Sequence, residues 1–465
     1  MTAETRRGFL KQAAAFGAAF AIGGTRVSGQ VLGANDTIHV GVAGLHGRGG
    51  AHIGAFSGMP NVEVAYLIDP DSRLFKRADA LEKGGKRKPT CVQDIRKALE
   101  DKDLDAVSVA TCNHWHSLIT VWACQAGKDV YVEKPCSHNV FEGRQCVEAA
   151  RKYQRIVQHG TQRRSGGGNR TVADIAAGKR GKLVCARGVS FKGRGSIGTK
   201  PPADPPQGLD FDIWLGPAPK QPFHANLVHY NWHWFWDTGN GDIGNFGVHD
   251  MDATRWAIPN ATLPRSIVSI GGRFKWNDQG QTPNLQLAIY DFGETKLLFE
   301  VSNLKTKGKR PSLVFDTKAK AEPIEIRTPP DVKSPAAPRG PGGEIFKNFI
   351  ACVRSRKPEE LDAHILEAHY SSALCHLPNI SYRLGKDVPF SKDSNALGDD
   401  KEIVASLEWF AEMLKDNGLK LEETTYRLGR RLEFDPEKEK FVNDPEADAL
   451  LSRPYRAPFV VPEKV

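Results

Sequence analysis

Ile38-His39-Val40-Gly41-Val42-Ala43, then Gly44-Leu45-His46-Gly47-Arg48-Gly49-Gly50, then Val62 to Ile68 closing on Asp69, is the stretch that decides the fold. A short apolar run, a glycine-rich turn, a helix-length segment and a second apolar run read as strand, turn, helix, strand. The third unit follows at Ala106-Val107-Ser108-Val109-Ala110, and a fourth strand at Asp129-Val130-Tyr131-Val132. Ser117 to Gln125 is helix-compatible between them, and Val140 to Lys152 reads as the helix after them. Apolar strands alternating with helices predict an α/β fold whose parallel sheet is covered on both faces.

Working outward, the texture changes beyond about Gly160. Arg265 to Phe274, Asn284 to Phe292 and Lys296 to Val301 alternate as antiparallel strands do, and Ile345 to Arg354 and Leu361 to Leu384 carry apolar residues at helical spacing. A second, sheet-based domain is therefore expected. Two stretches, 192–222 and 328–343, are rich in Pro and Gly; the first also holds Phe211 and Trp214 and is expected to be an ordered excursion that shapes the mouth of a site. The expected division is 1–34, 35–160 and 161–465.

In the other direction lie Thr5-Arg6-Arg7-Gly8-Phe9-Leu10-Lys11 and an alanine-rich apolar run from Ala13 to Ile22. Paired arginines before a short apolar core predict a twin-arginine signal peptide, hence the twin-arginine translocase as a partner and a periplasmic or other extracytoplasmic destination. That run is shorter than the roughly 18 residues a membrane-spanning helix needs, so no stable span is expected. The net charge of +9 in 465 residues is dispersed, and no zinc finger, basic helix or aromatic-basic motif accompanies it, which argues against nucleic acid. Eight cysteines lie scattered without CxxC spacing and read mostly as buried free thiols.

The chemistry starts at the first turn. Gly44, Gly47 and Gly49, with His46 and Arg48 among them, let a backbone approach a pyrophosphate whose charge then rests on helix N-terminal amides. Glycines alone fit a tight turn equally well; the position between strand and helix, and Asp69 at the end of the second strand, favour a dinucleotide. A carboxylate there accepts hydrogen bonds from a ribose and repels a 2′-phosphate, so the predicted cofactor is NAD rather than NADP. The fourth strand ends in Glu133-Lys134-Pro135. A lysine emerging from an apolar strand beside a ligand is partly desolvated, which lowers its pKa and suits it to proton transfer.

These residues, with Ala110-Thr111-Cys112-Asn113-His114-Trp115-His116, Gly127-Lys128-Asp129-Val130-Tyr131-Val132-Glu133-Lys134-Pro135, Gly160-Thr161-Gln162-Arg163-Arg164, Asn231-Trp232-His233-Trp234-Phe235-Trp236-Asp237 and Gly241-Asp242-Ile243-Gly244-Asn245-Phe246-Gly247-Val248-His249-Asp250-Met251-Asp252, carry a resemblance. The chain resembles the glucose-fructose oxidoreductase, inositol dehydrogenase and rhizopine-catabolism (Gfo/Idh/MocA) family from about Asn35 to Pro458. The resemblance implies an NAD-binding Rossmann domain followed by an α+β domain with an open, mostly antiparallel sheet, with the nicotinamide between them. It implies Lys134 in proton transfer at the reacting hydroxyl and His249 as the second acid-base residue. It places the loop of Asn113 and His116 along the cofactor, Glu133 at the nicotinamide ribose and Gln162 near the nicotinamide. It also implies a homo-oligomer.

Two positions depart from the family pattern. His46 stands where the second glycine of the turn is usual, and Asn245 replaces an aspartate. Asn245 takes no proton but can orient a hydroxyl or His249, with Asp242 substituting in part. Tyr230 to Trp236 holds three tryptophans and His233; such clusters suit carbohydrate faces, though a packed corner suits them as well, and Trp234 and His233 are expected to face the site. Arg163 is a further candidate for a polar substrate. No metal is expected, because His229/His233 and His114/His116 lack a convergent third ligand.

Three functions remain open at this point. One is an exported oxidoreductase with tightly bound NAD acting on a hydroxyl carbon of a sugar, glycoside or cyclitol. Another is an NAD-dependent glycoside hydrolase or lyase using transient oxidation and elimination. The last is a catalytically silent sugar-binding protein.

Overall fold

The computed structural model describes residues 36–165, 170–306, 310–319, 322–326, 344–390 and 397–465. The segment read above as a signal peptide and the 328–343 stretch lie outside the described residues. The first sheet is built from β1 (Ile38–Ala43), β2 (Val62–Ile68), β3 (Thr90–Val92), β4 (Ala106–Val109), β5 (Asp129–Val132) and β6 (Val157–His159). Its order is β3-β2-β1-β4-β5-β6, and every pairing is parallel. Helices α1 (Arg48–Ser57), α2 (Lys76–Lys83), α3 (Ile95–Leu99), α4 (Asn113–Gln125) and α5 (Val140–Lys152) make the crossovers. Strands β4 and β5 are buried along their whole length, which is why, Ser108 and Asp129 apart, apolar residues follow one another in them without alternation. The strand order reverses between β1 and β4, opening a crevice at their carboxyl ends where open α/β sheets bind ligands.

Two short strands, β3 and β6, were not anticipated; three residues are too few to establish a two-residue alternation. Helix α4 begins at Asn113, four residues before the expected Ser117, so Asn113 and His116 sit in its first turn rather than in a loop. Tertiary bonds override weak helix propensity there: the His114 ring reaches the carbonyls of Thr238 and Trp214 at 3.3 and 3.0 Å, and the His116 ring those of Pro135 and Thr111 at 2.6 and 3.0 Å.

The second sheet comprises β7 (Leu183–Phe191), β8 (Ser266–Gly272), β9 (Leu285–Asp291), β10 (Lys296–Ser302), β11 (Leu313–Thr317), β12 (Ile324–Ile326), β13 (Lys386–Pro389), β14 (Thr425–Leu428), β15 (Leu432–Asp435) and β16 (Lys440–Phe441). Its main path runs β12-β11-β7-β10-β9-β8-β14-β13, antiparallel except for β7 beside β10. Alternate residues feed opposite cores. Ala288 and Tyr290 pack with Met251 of a helix at Val248–Trp256 and with Leu374 and Leu377 of a helix at Ile365–Arg383, while Leu287 and Ile289 pack with Leu407 and Phe410 of a helix at Lys401–Asp416.

The later chain also returns to the first sheet. The helix at Ile345–Ser355 buries Phe346, Phe349 and Val353 against Ile38, Val40 and Tyr131, and the Phe346 and Tyr131 rings stack with centroids 4.7 Å apart. Near the C-terminus Phe459 packs edge-on to Trp115 at 5.4 Å. The 192–222 excursion reaches the same way: Ser72 N–H donates to Gly208 O at 2.9 Å and Asp210 N–H to Pro70 O at 2.9 Å, tying it to the end of β2. No described helix is long and apolar enough to cross a membrane.

Candidate active site

A cavity of about 340 Å³ occupies the crevice, between the ends of β1, β4 and β5 on one side and the 192–194 and 229–233 segments on the other. Its first wall is the glycine turn. Gly44 has a φ of +85°, and a Cβ on it would stand 2.5 Å from the Ala110 carbonyl oxygen; one on Gly49 would stand 1.8 Å from the Gly44 oxygen. These two glycines let β1, β4 and α1 meet. Gly47, with φ +40°, has nothing within 4 Å of a built Cβ, so the loop is open where a phosphate would lie against the helix N-terminus. His46 is exposed, and its ring stacks on His229 with centroids 4.5 Å apart. His229 Nε2 in turn lies 3.1 Å from Asp71 Oδ2.

Asp69 lines the cavity and accepts from Leu45 N–H at 2.7 Å and Asp71 N–H at 2.9 Å. Burial pushes its carboxyl up to about 6 against those two amides. A carboxylate has more acceptor positions than the two bonds use, so one remains for a ribose.

Glu133 accepts from Arg48 Nε at 2.7 Å, His52 Nε2 at 3.1 Å and Gln162 Nε2 at 3.2 Å. Burial opposes its charge, but the His52 bond and the Arg48 and Lys134 charges hold it well below the usual carboxylate range. Lys134 Nζ donates to the Asn245 carbonyl at 2.8 Å and lies 3.4 Å from Asn245 Oδ1. Its pKa is lowered by burial, with Glu133 and Asp242 opposing. Asn245 Nδ2 donates to Asp242 Oδ1 at 3.0 Å, which assigns the amide its orientation.

His249 stands on the Val248–Trp256 helix behind this group and not in the cavity wall; its Nδ1 is buried without a partner among the described residues. Burial, then the charges of Lys134 and Arg163, hold its pKa well below the ordinary histidine value, so it is neutral. Gln162 is drawn off the wall by Glu133 and Tyr131.

Among the expected substrate residues only His233 lines the cavity, together with Tyr230 and Trp232. The tight helical turn at Asn231–Trp234 sends Trp234 inward, beneath the Arg194 guanidinium at 4.7 Å from its ring centroid, and this corrects the expectation for Trp234. Asp242 is likewise taken up, gripped by Arg194 at 2.7 and 2.8 Å, and Arg163 pairs with the buried Asp250. Asn113 lines the cavity while donating to Asn240 Oδ1 at 3.1 Å. Sequence reasoning missed Arg194, Lys192 and His229. Nothing in the primary sequence joins Arg194 to Asp242, whereas its place two residues after Lys192 at the end of an apolar strand was a usable signal. All eight cysteines are free, and six are buried. No cluster of three or more His, Cys, Asp or Glu suited to a metal occurs among the described residues.

The 3-2-1-4-5-6 parallel sheet, the glycine turn and the acid at the end of β2 define a dinucleotide-binding fold of the Rossmann type. Residues 38–161 match the sequence profile of the oxidoreductase family's NAD-binding Rossmann fold, and residues 188–409 and 417–461 that of its C-terminal alpha/beta domain. The chain therefore belongs to the Gfo/Idh/MocA oxidoreductase family, and its cofactor is NAD. A glycosyl hydrolase family 109 protein of Shewanella pealeana is 28% identical over 137 residues, 28% of this chain and 30% of that protein. One from Solibacter usitatus is 31% identical over 128 residues, 26% of this chain and 29% of that protein. The matched segment thus spans about a third of these curated relatives. Among solved structures, an aldose-aldose oxidoreductase from Caulobacter crescentus complexed with glycerol has a TM-score of 0.54 at 16% identity, covering 75% of this chain and 98% of its own. The WlbA dehydrogenase from Bordetella pertussis, in complex with NADH and UDP-GlcNAcA, has a TM-score of 0.54 at 17% identity, covering 73% of this chain and 93% of its own. At such identities the likeness is one of fold.

Proposed function

We propose that this chain is an exported oxidoreductase that holds NAD tightly and acts on a hydroxyl carbon of a sugar, glycoside or cyclitol. The observation that carries the reading is Lys134: a depressed lysine at the end of β5, in the cavity wall, with its ammonium aimed by two oxygens of Asn245. Gly44, His46, Gly47, Arg48 and Gly49 would hold the pyrophosphate, Asp69 the adenosine ribose, and Asn113, His116 and Glu133 the nicotinamide half. When bound, NAD supplies a hydride acceptor and donor. Lys134 moves the proton of the reacting hydroxyl and Asn245 fixes the ammonium, while neutral His249 stands behind them, off the cavity wall. The 192–222 excursion and the His46–His229 stack exclude water. The twin-arginine segment supports export of the folded chain with its cofactor inside, which in turn requires the cofactor to be recycled in place by a second substrate or electron acceptor. A homo-oligomer is part of the same proposal.

The names of the curated relatives favour a second reading, an NAD-dependent glycoside hydrolase or lyase. Here the hydroxyl would be oxidised transiently with its hydride passing to NAD, the adjacent proton lost and the aglycone eliminated as its alcohol; in a hydrolase water would then add to the unsaturated ketone before the hydride is returned. Accumulating keto-sugar marks the first reading, net hydrolysis the second. Asn245 is the feature that would fit a silent binder instead.

The test is to purify the folded protein, release its cofactor with acid and identify it by mass spectrometry, then add a panel of sugars and glycosides. Stoichiometric NAD(H), a rise of the reduced-nicotinamide band with a sugar, and a loss of turnover of about a hundredfold or more in Lys134→Met are expected. Wild type without turnover on any sugar, together with sugar binding unchanged in Lys134→Ala, would leave the binding protein.

A further inference from the structure

Charges around the cavity narrow the substrate class. After β7 the chain runs on in extended form, with Lys192 N–H donating to Ser302 O at 3.0 Å and Arg194 N–H to Asn303 O at 2.8 Å. Residues two apart on an extended segment share a face, and both Lys192 and Arg194 line the cavity.

Their side chains meet different fates. The Arg194 guanidinium is closed: Nε and Nη2 grip the Asp242 carboxylate at 2.8 and 2.7 Å, and Nη1 donates to the Tyr230 hydroxyl at 2.8 Å. The Lys192 ammonium stands 5.3 Å from the Phe246 ring centroid and makes no ion pair among the described residues. Lys134 is near enough for its charge to be felt with that of Lys192, and its own hydrogen bonds go to neutral oxygens. The carboxylate beside it, Glu133, is engaged by Arg48 and His52.

With Arg48 left to the pyrophosphate, the cations Lys134, Lys192 and Arg194 at this end of the cavity face, among the described residues, the carboxylates Glu133 and Asp242, an excess of one positive charge. An oxidised nicotinamide, itself cationic, would add to that excess. Lys192 lines the cavity while exposed to solvent, which screens its charge in part, and the unbalanced positive charge there attracts an anion. His233 adds a hydroxyl partner: its Nδ1 faces the Tyr230 carbonyl at 2.5 Å and must donate, leaving Nε2 as an acceptor.

We propose that the substrate is a carbohydrate bearing one carboxylate, a uronic acid or uronate glycoside, with Lys192 as its counter-ion and Lys134 at the reacting hydroxyl. A single ammonium matches a single negative charge. A phosphate dianion calls for a guanidinium fork or a helix N-terminus, and the guanidinium on this wall is already filled by Asp242. The inference rests on the oxidoreductase reading above.

The test is calorimetry on the NADH-loaded protein, in which a hydroxyl substrate finds no hydride acceptor, with matched methyl glycosides, neutral and uronate, in the gluco, galacto and manno series, and with the corresponding sugar phosphates. The uronate of at least one series is expected to bind about fivefold or more tightly than its neutral partner, with the difference shrinking at high salt. Lys192→Gln should bring the ratio to near one, and Lys192→Arg should keep it. A neutral sugar or a sugar phosphate preferred over the uronate, or a preference that survives in Lys192→Gln, overturns the proposal. The ratio is read without turnover, so loss of the redox reading registers separately, as an absent cofactor or a reduced-nicotinamide band that no sugar raises. Binding of none of these compounds overturns both.

Discussion

Asp69 is the residue at which the sequence argument and the folded environment meet most closely. The strand–turn–helix pattern places a carboxylate at the end of β2, but only burial sets its charge. With its pKa pushed up to about 6, Asp69 is ionised above that pH and neutral below it. Because the folded pKa lies above the unfolded one, the folded chain binds the extra proton, and the contribution of Asp69 to stability declines as pH rises from about 4 through about 6. Its repulsion of a 2′-phosphate runs the other way. In stripped, refolded protein, the preference for NAD over NADP should shrink on going from about pH 7.5 to about pH 5. Fluorescence titration of both nucleotides checks this. A preference that does not change with pH, or an Asp69→Asn variant that still discriminates like wild type, would sink the role given to Asp69. At this scale the sequence also names Lys134 and His233 as cavity residues, whereas Trp234 and Asp242 look equally good until Arg194 is seen to cover the one and bind the other.

At the scale of elements, α1 and its turn form the part whose packing is least tolerant. The Gly49 Cα faces the Gly44 carbonyl so closely that an added methyl would stand 1.8 Å from its oxygen, so Gly49→Ala must push α1 off β1. A loss of about 3 kcal/mol is expected, from overpacking against backbone that cannot swing aside. Gly54 lies on the exposed side of the same helix with nothing within 4 Å of a built Cβ, and Gly54→Ala should stabilise by up to about 1 kcal/mol. Denaturant midpoints of the two variants separate steric cause from helix propensity; shifts of the same sign would contradict the packing argument. Long elements such as β1, β2 and the Val140–Lys152 helix are legible from periodicity. The early start of α4 is not, because carbonyls from distant segments bind its histidines and stabilise a turn that its own residues do not favour.

For the whole molecule, the first sheet is not completed by its own contiguous sequence. Phe349 is fully buried beside Ile38, Val40 and Tyr131, yet it comes from a helix far along the chain, and Phe459 closes on Trp115 from near the C-terminus. A fragment limited to the matched Rossmann segment, 38–161, would leave these faces open to water. It is expected to bind a hydrophobic dye and to lack a cooperative melt, whereas the full chain melts cooperatively. A fragment that unfolds cooperatively and leaves the dye dark would mean that the returning helix is dispensable.

By itself, the sequence determined the alternation of strands and helices, the parallel first sheet, the glycine turn, the acid after β2 and the lysine after β5. These are local patterns, each set by which residues can bury a face or tolerate a turn within a few positions of one another. Only the tertiary structure decided which aromatic residues line the cavity, that Asn245 aims Lys134, that Arg194 neutralises Asp242 and that Lys192 meets no counter-ion among the described residues. Those outcomes depend on distances between residues remote in the chain, and a charge or ring has no fixed role until packing determines what stands opposite it.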